Sequence, residues 1–342
     1  MAGSVPTLPR GRSFTRLVIA RQLAKQTNAD TRLKLIERFG DGHWITRAAV
    51  SGLEEGQIAA ANARDEFFAL ITDASIVGRL NGRRDVSFNV RNIAMTSGSR
   101  GYWVGEARPI PLSKPALTGE SLERRKVAAI VVLTREAMED PRSEGRVQAD
   151  LQRAAVAAWD EAFIAADNDG IADTMPPGVT NGISAIVSSG DPAADLRALI
   201  ENFDGDLSAA YLVSDGKTLA AMSLWRDAAG NSPFPDLGAR GGLASGIPAL
   251  ASRSSPRDSS GGQLALIDPT SIAVGLEGME VTESRSATLL MSDDPESVPA
   301  TERVSLFQED AVAMKVVLYS NWSRQRVGAV TLVSGADYAV GS

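Results

Sequence analysis

Hydrophobic positions recur at helical spacing in the first part of the chain. Residues 14–39 do so in two pieces, "FTRLVIARQLAK" and "TRLKLIERF", parted by "QTNAD". Asp30 suits the cap of the second piece, and Gly40 and Gly42 end it. A further helix is predicted from Ser51, which stands at capping-box spacing from Glu54, with "EFFALI" downstream. The strongest helical signal follows Asp140-Pro141, with Ser143 as its cap. Val147, Leu151, Ala155, Ala158, Trp159, Ala162 and Ala166 mark one face. At 1.5 Å per residue its ~24 residues span roughly 36 Å.

Strand patterns lie on either side of an unusual segment. "RRDVSFNVRNIA" (83–94) alternates, with Val86, Phe88 and Val90 on one face, and predicts one half-buried strand. "KVAAIVVLTREAM" (126–138) opens with a continuous apolar run and predicts a strand buried on both faces. Between them, "GYWVGEARPIPLSKPALTGE" (101–120) carries Pro109, Pro111 and Pro115, which fits neither a helix nor a central strand. If the flanking strands pair, the chain between them projects as a long, stiff arm. Trp103 has no evident place in its own subunit, so the arm is expected to bury it against another molecule.

From about residue 185 the elements shorten. Residues 209–214 read as a strand, 215–227 as a helix, "AAGN" as a turn, and "GIPALAS" and "QLALIDP" as strands. Residues 303–326 form one long extended stretch with Val312, Met314, Val316 and Leu318 on one face, and "GAVTLVSGADY" supplies the last strand. There is no internal repeat and no low-complexity tract.

The 342 residues suffice for two domains and are 44% hydrophobic and 23% charged. No apolar run approaches the roughly 18–20 residues needed to span a bilayer. The N-terminus has no secretory pattern. Cysteine is absent, which excludes disulfides and thiolate metal sites and fits a reducing compartment. Charge is uneven: residues 1–50 hold nine Lys/Arg against three Asp/Glu, and the remainder 26 against 39. A basic helical tail therefore sits on an acidic body. Two readings stay open: a plain solvated tail, or one that touches an acidic partner such as a neighbouring copy or nucleic acid.

Catalytic patterns are weak. "SDGKT" (214–218) resembles the end of a phosphate-binding loop, but the required first glycine is Tyr211, so a helix N-terminus capped by Ser214 or Asp215 is expected. The one histidine, His43, would carry any triad or imidazole site alone and is read as a surface or packing residue. Asp167, Asp169 and Asp173 in "AADNDGIAD" miss calcium-loop spacing and read as a capped helix end. No enzyme, metal or cofactor is implied.

The order of these pieces resembles the major capsid proteins of tailed bacteriophages, whose fold is named after phage Hong Kong 97. "VSFNV", "YWVGEARPIPLSKPAL" and "KVAAIVVLTREAMED" resemble that family's arm and its flanking strands. Residues 211–227 with "DAAGNSPFPDL" resemble a helix–turn–strand of its axial domain, and "GIPALASRSSP", "LALIDPTSIAVG" and "LFQEDAVAMKVVLYSNWSRQRVGAVTLVSG" follow in family order. The resemblance implies an α+β chain with an N-terminal helical arm (1–80) and an extended-loop hairpin with flanking strands (81–135). A peripheral domain with a spine helix (136–184 and 301–327) and an axial α/β domain (185–300 and 328–342) would follow.

It also implies a structural subunit that self-assembles as pentamers and hexamers into an icosahedral virion shell. The shell would be built in the bacterial host cytoplasm around DNA bound without sequence specificity, with scaffold, portal and decoration proteins as further partners and no membrane. Expected inter-subunit contacts are Tyr102, Trp103, Glu106, Arg108, Pro109, Pro111 and Lys114 in the arm, and Arg16, Arg21 and Lys25 in the N-terminal segment. The segment before the first arm strand is shorter than the family's cleaved scaffolding region, so no cleavage is expected. Lys114 and Asn321 occupy places suggestive of a subunit cross-link, but no activating carboxylate is evident and none is expected. An encapsulin-like compartment shell and a soluble α/β enzyme with an unusual arm are the competing readings.

Overall fold

The structure is a computed structural model. It describes residues 53–97, 103, 116–134, 143–227, 229–284, 287–290 and 303–338. The two helical pieces before residue 40, His43, Ser51 and the Asp140-Pro141 break lie outside these residues.

The chain divides into two compact units. One takes the chain up to Ala74, Val127–Val156 and Gly278–Leu318; the other takes Ser75–Lys126, Ala157–Glu277 and Tyr319–Ser342. The division passes through one 22-residue helix, Ser143–Ile164, and through three strands.

In the first unit α1 (Leu53–Ala74) buries Phe67 and Ile71. The N-terminal two-thirds of α3 (Ser143–Ile164) buries Val147, Leu151 and Ala155, and Gln152 Nε2 donates to the Leu70 carbonyl of α1 at 3.1 Å. Residues four apart share a helix face, so this spacing gives α3 one continuous apolar stripe; Ala158 falls off it and is exposed.

A four-stranded sheet has the order β1 (Arg84–Val86), β12 (Ile272–Ser284), β15 (Ala311–Arg324), β4 (Lys126–Thr134). Two sequence expectations are corrected here. The stretch 83–94 is not one strand: it breaks after Val86 and resumes as β2 (Arg91–Ser97), because Asn89 takes a left-handed conformation (φ 57°). The stretch 303–326 is likewise two strands, β14 (Arg303–Ser305) and β15, parted by a turn in which Ala311 N donates to the Leu306 carbonyl. β14 pairs with β13 (Thr288–Leu290) as a separate ribbon.

The second unit is built on an eight-stranded mixed sheet. Its path runs β5 (Ile186–Val187), β16 (Val330–Ala336), β11 (Gly261–Ile267), β6 (Tyr211–Ser214), β9 (Ile247–Ala251), β8 (Gly241–Ala244), β7 (Leu237–Gly238), with β10 (Arg257–Asp258) beside β11.

Helix α4 (Pro192–Glu201) packs on β16 and β11, and α5 (Gly216–Leu224) on β7 and β11. The sequence reading passes over α4, although Asp191 caps it and Pro192 stands at its start. Leu196, Leu199, Leu212, Leu219, Met222 and Phe234 form the core between helices and sheet. At an order of 1.5–3 kcal/mol per fully buried side chain, this cluster is the unit's main source of stability.

Candidate self-association surface

The arm is a two-stranded ribbon. β2 pairs antiparallel with β3 (Ala116–Ser121), Arg91 opposite Ser121 and Met95 opposite Leu117, with an irregularity between Met95 and Ser97. Part of the segment read as irregular is therefore strand, since the third proline ends just before it. No further strand joins this ribbon among the described residues. A lone hairpin is marginal in water, so its order depends on what it touches. Trp103, beyond β2, is fully exposed. Tyr102, Glu106, Arg108, Pro109, Pro111 and Lys114 lie outside the described residues, as do Arg16, Arg21 and Lys25.

The root of the ribbon is tightly held. Asn89 N donates to the Leu122 carbonyl at 2.8 Å, and Leu122 is buried. Phe88 packs over Gly275, where any Cβ would meet its ring at 2.4 Å, so the glycine makes room for the root.

After β3 the run Glu123-Arg124-Arg125 forms a clasp. Arg124 pairs with Glu277 at 3.2 Å and lies over the Tyr319 ring, 3.6 Å from its centroid. Arg125 pairs with Glu123 at 2.8 Å and Asp173 at 3.4 Å, and its carbonyl accepts from Ser320 N. The Asn321 side chain donates to the Glu123 carbonyl at 2.7 Å and accepts from Trp322 N, so both ends of its amide are committed to backbone. The sequence reading missed this clasp; its signal was the charged triplet standing directly before an apolar run.

Next to the clasp, residues 165–182 fold as a braced loop. Asn168 donates to the carbonyls of Ala162 and Pro176 and accepts from Gly170 N; Asn181 donates to Asp169 at 2.7 Å. Trp322 Nε1 donates to the Pro177 carbonyl at 2.8 Å, and its ring meets Phe163 edge-on at 5.3 Å. Asp169 and Asp173 are brace points here, and no group of metal-ligating side chains is found among the described residues.

Deeper in the unit, Asp160 of α3 is buried. It accepts from Ile76 N of α2 (Ile76–Arg79) at 2.7 Å and from Ser252 Oγ at 2.9 Å. Burial pushes its carboxyl up to about 6, only partly offset by these hydrogen bonds and by Arg79. Arg79 donates to the Ala251 carbonyl and is itself lowered by burial. Asp215, not Ser214, caps α5, accepting from Lys217 N and Thr218 N; Ser214 Oγ donates to the Gln263 carbonyl instead. These polar groups are consumed in bracing and none is arranged as a nucleophile–base pair.

The described residues hold a braced α/β body, a long helix and a separate two-stranded β-ribbon, the Hong Kong 97-type α+β capsid fold. The same fold is found in chains from Microbacterium phage Oxtober96 (TM-score 0.53, 18% identity, 74% of this chain and 89% of that one). Chains from Mycobacterium phage Ogopogo (0.52, 17%, 76% and 91%) and Gordonia phage Cozz (0.52, 15%, 78% and 85%) share it too. Residues 56–317 match the phage capsid family, and the chain belongs to that family. A curated relative, the capsid polyprotein of Pseudomonas phage PAJU2, is 33% identical over 291 residues, which is 80% of this chain. The chain spans 44% of that polyprotein's length.

Proposed function

We propose that this chain is a major capsid subunit that assembles in many copies, as pentamers and hexamers, into the icosahedral head shell of a phage. The observation that carries the reading is the family match over residues 56–317, a span that takes in the ribbon and the long helix. The role is structural, not enzymatic. The ribbon and the segment to Pro115 act as an arm on a neighbouring subunit, with Tyr102 and Trp103 as apolar anchors, Glu106, Arg108 and Lys114 as rim contacts, and Pro109 and Pro111 keeping the arm extended so that docking costs less entropy.

The basic N-terminal segment, through Arg16, Arg21 and Lys25, docks on a neighbour or a scaffold during assembly. Unit-scale roles follow: α3 is the spine helix of a peripheral domain and the eight-stranded sheet the axial domain. A net charge of −7 suits a container that does not hold its DNA tightly, because phosphate binding scales with basic contacts. Portal and decoration proteins complete the particle, formed in the host cytoplasm and found in the virion. The reported relatives are phage proteins, which favours this reading over a compartment shell or an α/β enzyme.

Electron microscopy of the expressed chain, alone and with its assembly partners, tests it. Closed particles are expected; a monomer or small oligomer under all such conditions overturns it. Replacing residues 101–115 with a short Gly/Ser turn should leave a folded subunit that makes no shells.

A further inference from the structure

Beside the clasp, and wholly within the second unit, lies a cavity of about 530 Å³. Part of its lining is apolar: Met175, Pro177, Trp322 and Ile171, the last nearly half exposed. Two guanidinium groups line it as well. Arg125 is engaged by Glu123 and Asp173. Arg324 has no carboxylate partner among the described residues. Its Nη1 donates to the Val179 carbonyl at 2.6 Å and to the Asn181 carbonyl at 3.1 Å, while Nε and Nη2 donate to nothing among the described residues. Those two nitrogens form the planar edge of an arginine that matches both oxygens of a carboxylate. Burial lowers the Arg324 pKa, and no carboxylate among the described residues offsets that. A partly desolvated cation with an open fork is a group that gains by meeting an anion.

We propose that this cavity receives a carboxylate side chain from the acidic body of a second copy, held on the Nε–Nη2 edge of Arg324. This rests on the shell reading and adds to it a contact separate from the arm. Charge points to the body as the source. Residues 51–342 hold 39 Asp/Glu against 26 Lys/Arg, whereas residues 1–50 are basic and the stretch 101–115 sets one acid, Glu106, against Arg108 and Lys114. The apolar part of the lining suits the stem of the incoming acid, whose charged end alone needs the fork. A phosphate chain fits less well. It needs several cations, and here Asp169 lines the same cavity while Arg125 brings Glu123 and Asp173 with it.

The test uses full-length Arg324→Lys, which keeps the charge and the donors to the two carbonyls. Isotopically heavy and light chains are mixed, assembled and treated with a water-soluble carbodiimide. The reagent activates a carboxyl group; an amine in contact with it then displaces the urea and leaves an amide bond. Mass spectrometry of the digested particles identifies the acid joined to position 324. The expected result is a heavy–light pair with an Asp or Glu of another copy outside residues 101–120, absent from the parent because arginine does not react. A cross-link only to Glu123, Asp169 or Asp173 of the same copy overturns the proposal, as does none at all. Joining to Glu106 or Glu120 would give the cavity to the arm, and joining to a different protein would make it a partner's site; either overturns it. So does a cross-link that forms only after nuclease treatment, which would assign the fork to DNA phosphate.

A second measurement uses Arg324→Gln, which removes the fork. Its particles should melt several degrees below parent particles, and its dissociated subunits should lose less. Equal losses would reduce Arg324 to a brace for the 165–182 loop and overturn the proposal, as would particles that melt with the parent's. A parent chain that makes no particles refutes the shell reading and this inference with it; particles without the cross-link sink this inference alone.

Discussion

β15 and β4 are neighbours in one sheet and look much alike as sequence, "AVAMKVVLYSNW" beside "KVAAIVVLT". Of the fourteen residues of β15 ten are buried; of the nine in β4 none is. An apolar run reports that a strand seeks cover on both faces, but not who supplies it. β15 is paired on both edges, by β12 and β4, and α3 packs on it through Trp159 against Ser320 and Phe163 against Trp322. Among the described residues β4 is paired on one edge only and none of its residues is buried, so the expectation that it is buried on both faces is wrong for the single chain. The residues are the same kind of evidence in both cases; what differs is what pairs and packs on each strand.

The sharpest way to break this comparison is to truncate one side chain in each strand. Leu318→Ala, on the fully buried face of β15, should cost about 2–5 kcal/mol of subunit stability. Ile130→Ala in β4 should cost under about 1 kcal/mol, since half of its surface is already in water. Urea unfolding of the two variants checks this, and equal losses would mean that β4 is covered within its own subunit.

Acid titration probes the buried side next. The Asp160 carboxyl is raised from 3.8 to about 6, so the folded chain holds a proton that the unfolded chain has released. Its contribution is fully present below about pH 4 and lost as pH rises through 6, a swing on the order of 3 kcal/mol. Asp160→Asn keeps the shape and should flatten the dependence of melting temperature on pH between 4 and 6. An unchanged slope would show that this carboxyl is ionised throughout.

A smaller effect is expected where α3 grips β15. Trp159 Nε1 donates to Ser320 Oγ at 3.1 Å in a buried site, so Ser320→Ala strands the donor and should cost about 1–3 kcal/mol by thermal unfolding. β4 has no buried side-chain bond of this kind among the described residues. The smallest effect is at the clasp. Arg124 is partly exposed, and Arg124→Ala should cost only about 0.5–1 kcal/mol in the subunit. Particle yield should fall further than that cost explains, because the variant loosens the direction in which the arm leaves. Yield following stability alone would reduce the clasp to an ordinary surface contact.

Much of the fold was legible because it is local. The four-residue spacing of Val147, Leu151, Ala155 and Trp159 marks α3 wherever it packs. Asp215 and Pro192 announce helix starts by chemistry that acts within one turn, although the second was overlooked. The break at Asn89 was not legible: a single left-handed residue interrupts a pattern that alternates correctly on either side. The turn at 306–310 was hidden in the same way, inside an unbroken run of strand-forming residues. The clasp needed Tyr319, Ser320 and Asn321 to arrive from some two hundred residues away, and no local pattern records that.

By itself, the sequence determined what each segment seeks: a helix with one apolar stripe, strands of strong β character, a proline-stiffened arm that cannot enter a helix, and a cysteine-free chain with no catalytic constellation. These follow from dihedral preferences and side-chain periodicity, which act over a few residues. Only the tertiary structure decided which demands are met inside the subunit. Burial is set by which distant elements pack over a strand's faces and which strands pair its edges. Those contacts bury most of β15, leave β4 at an edge among the described residues and tie the root of the ribbon at its clasp.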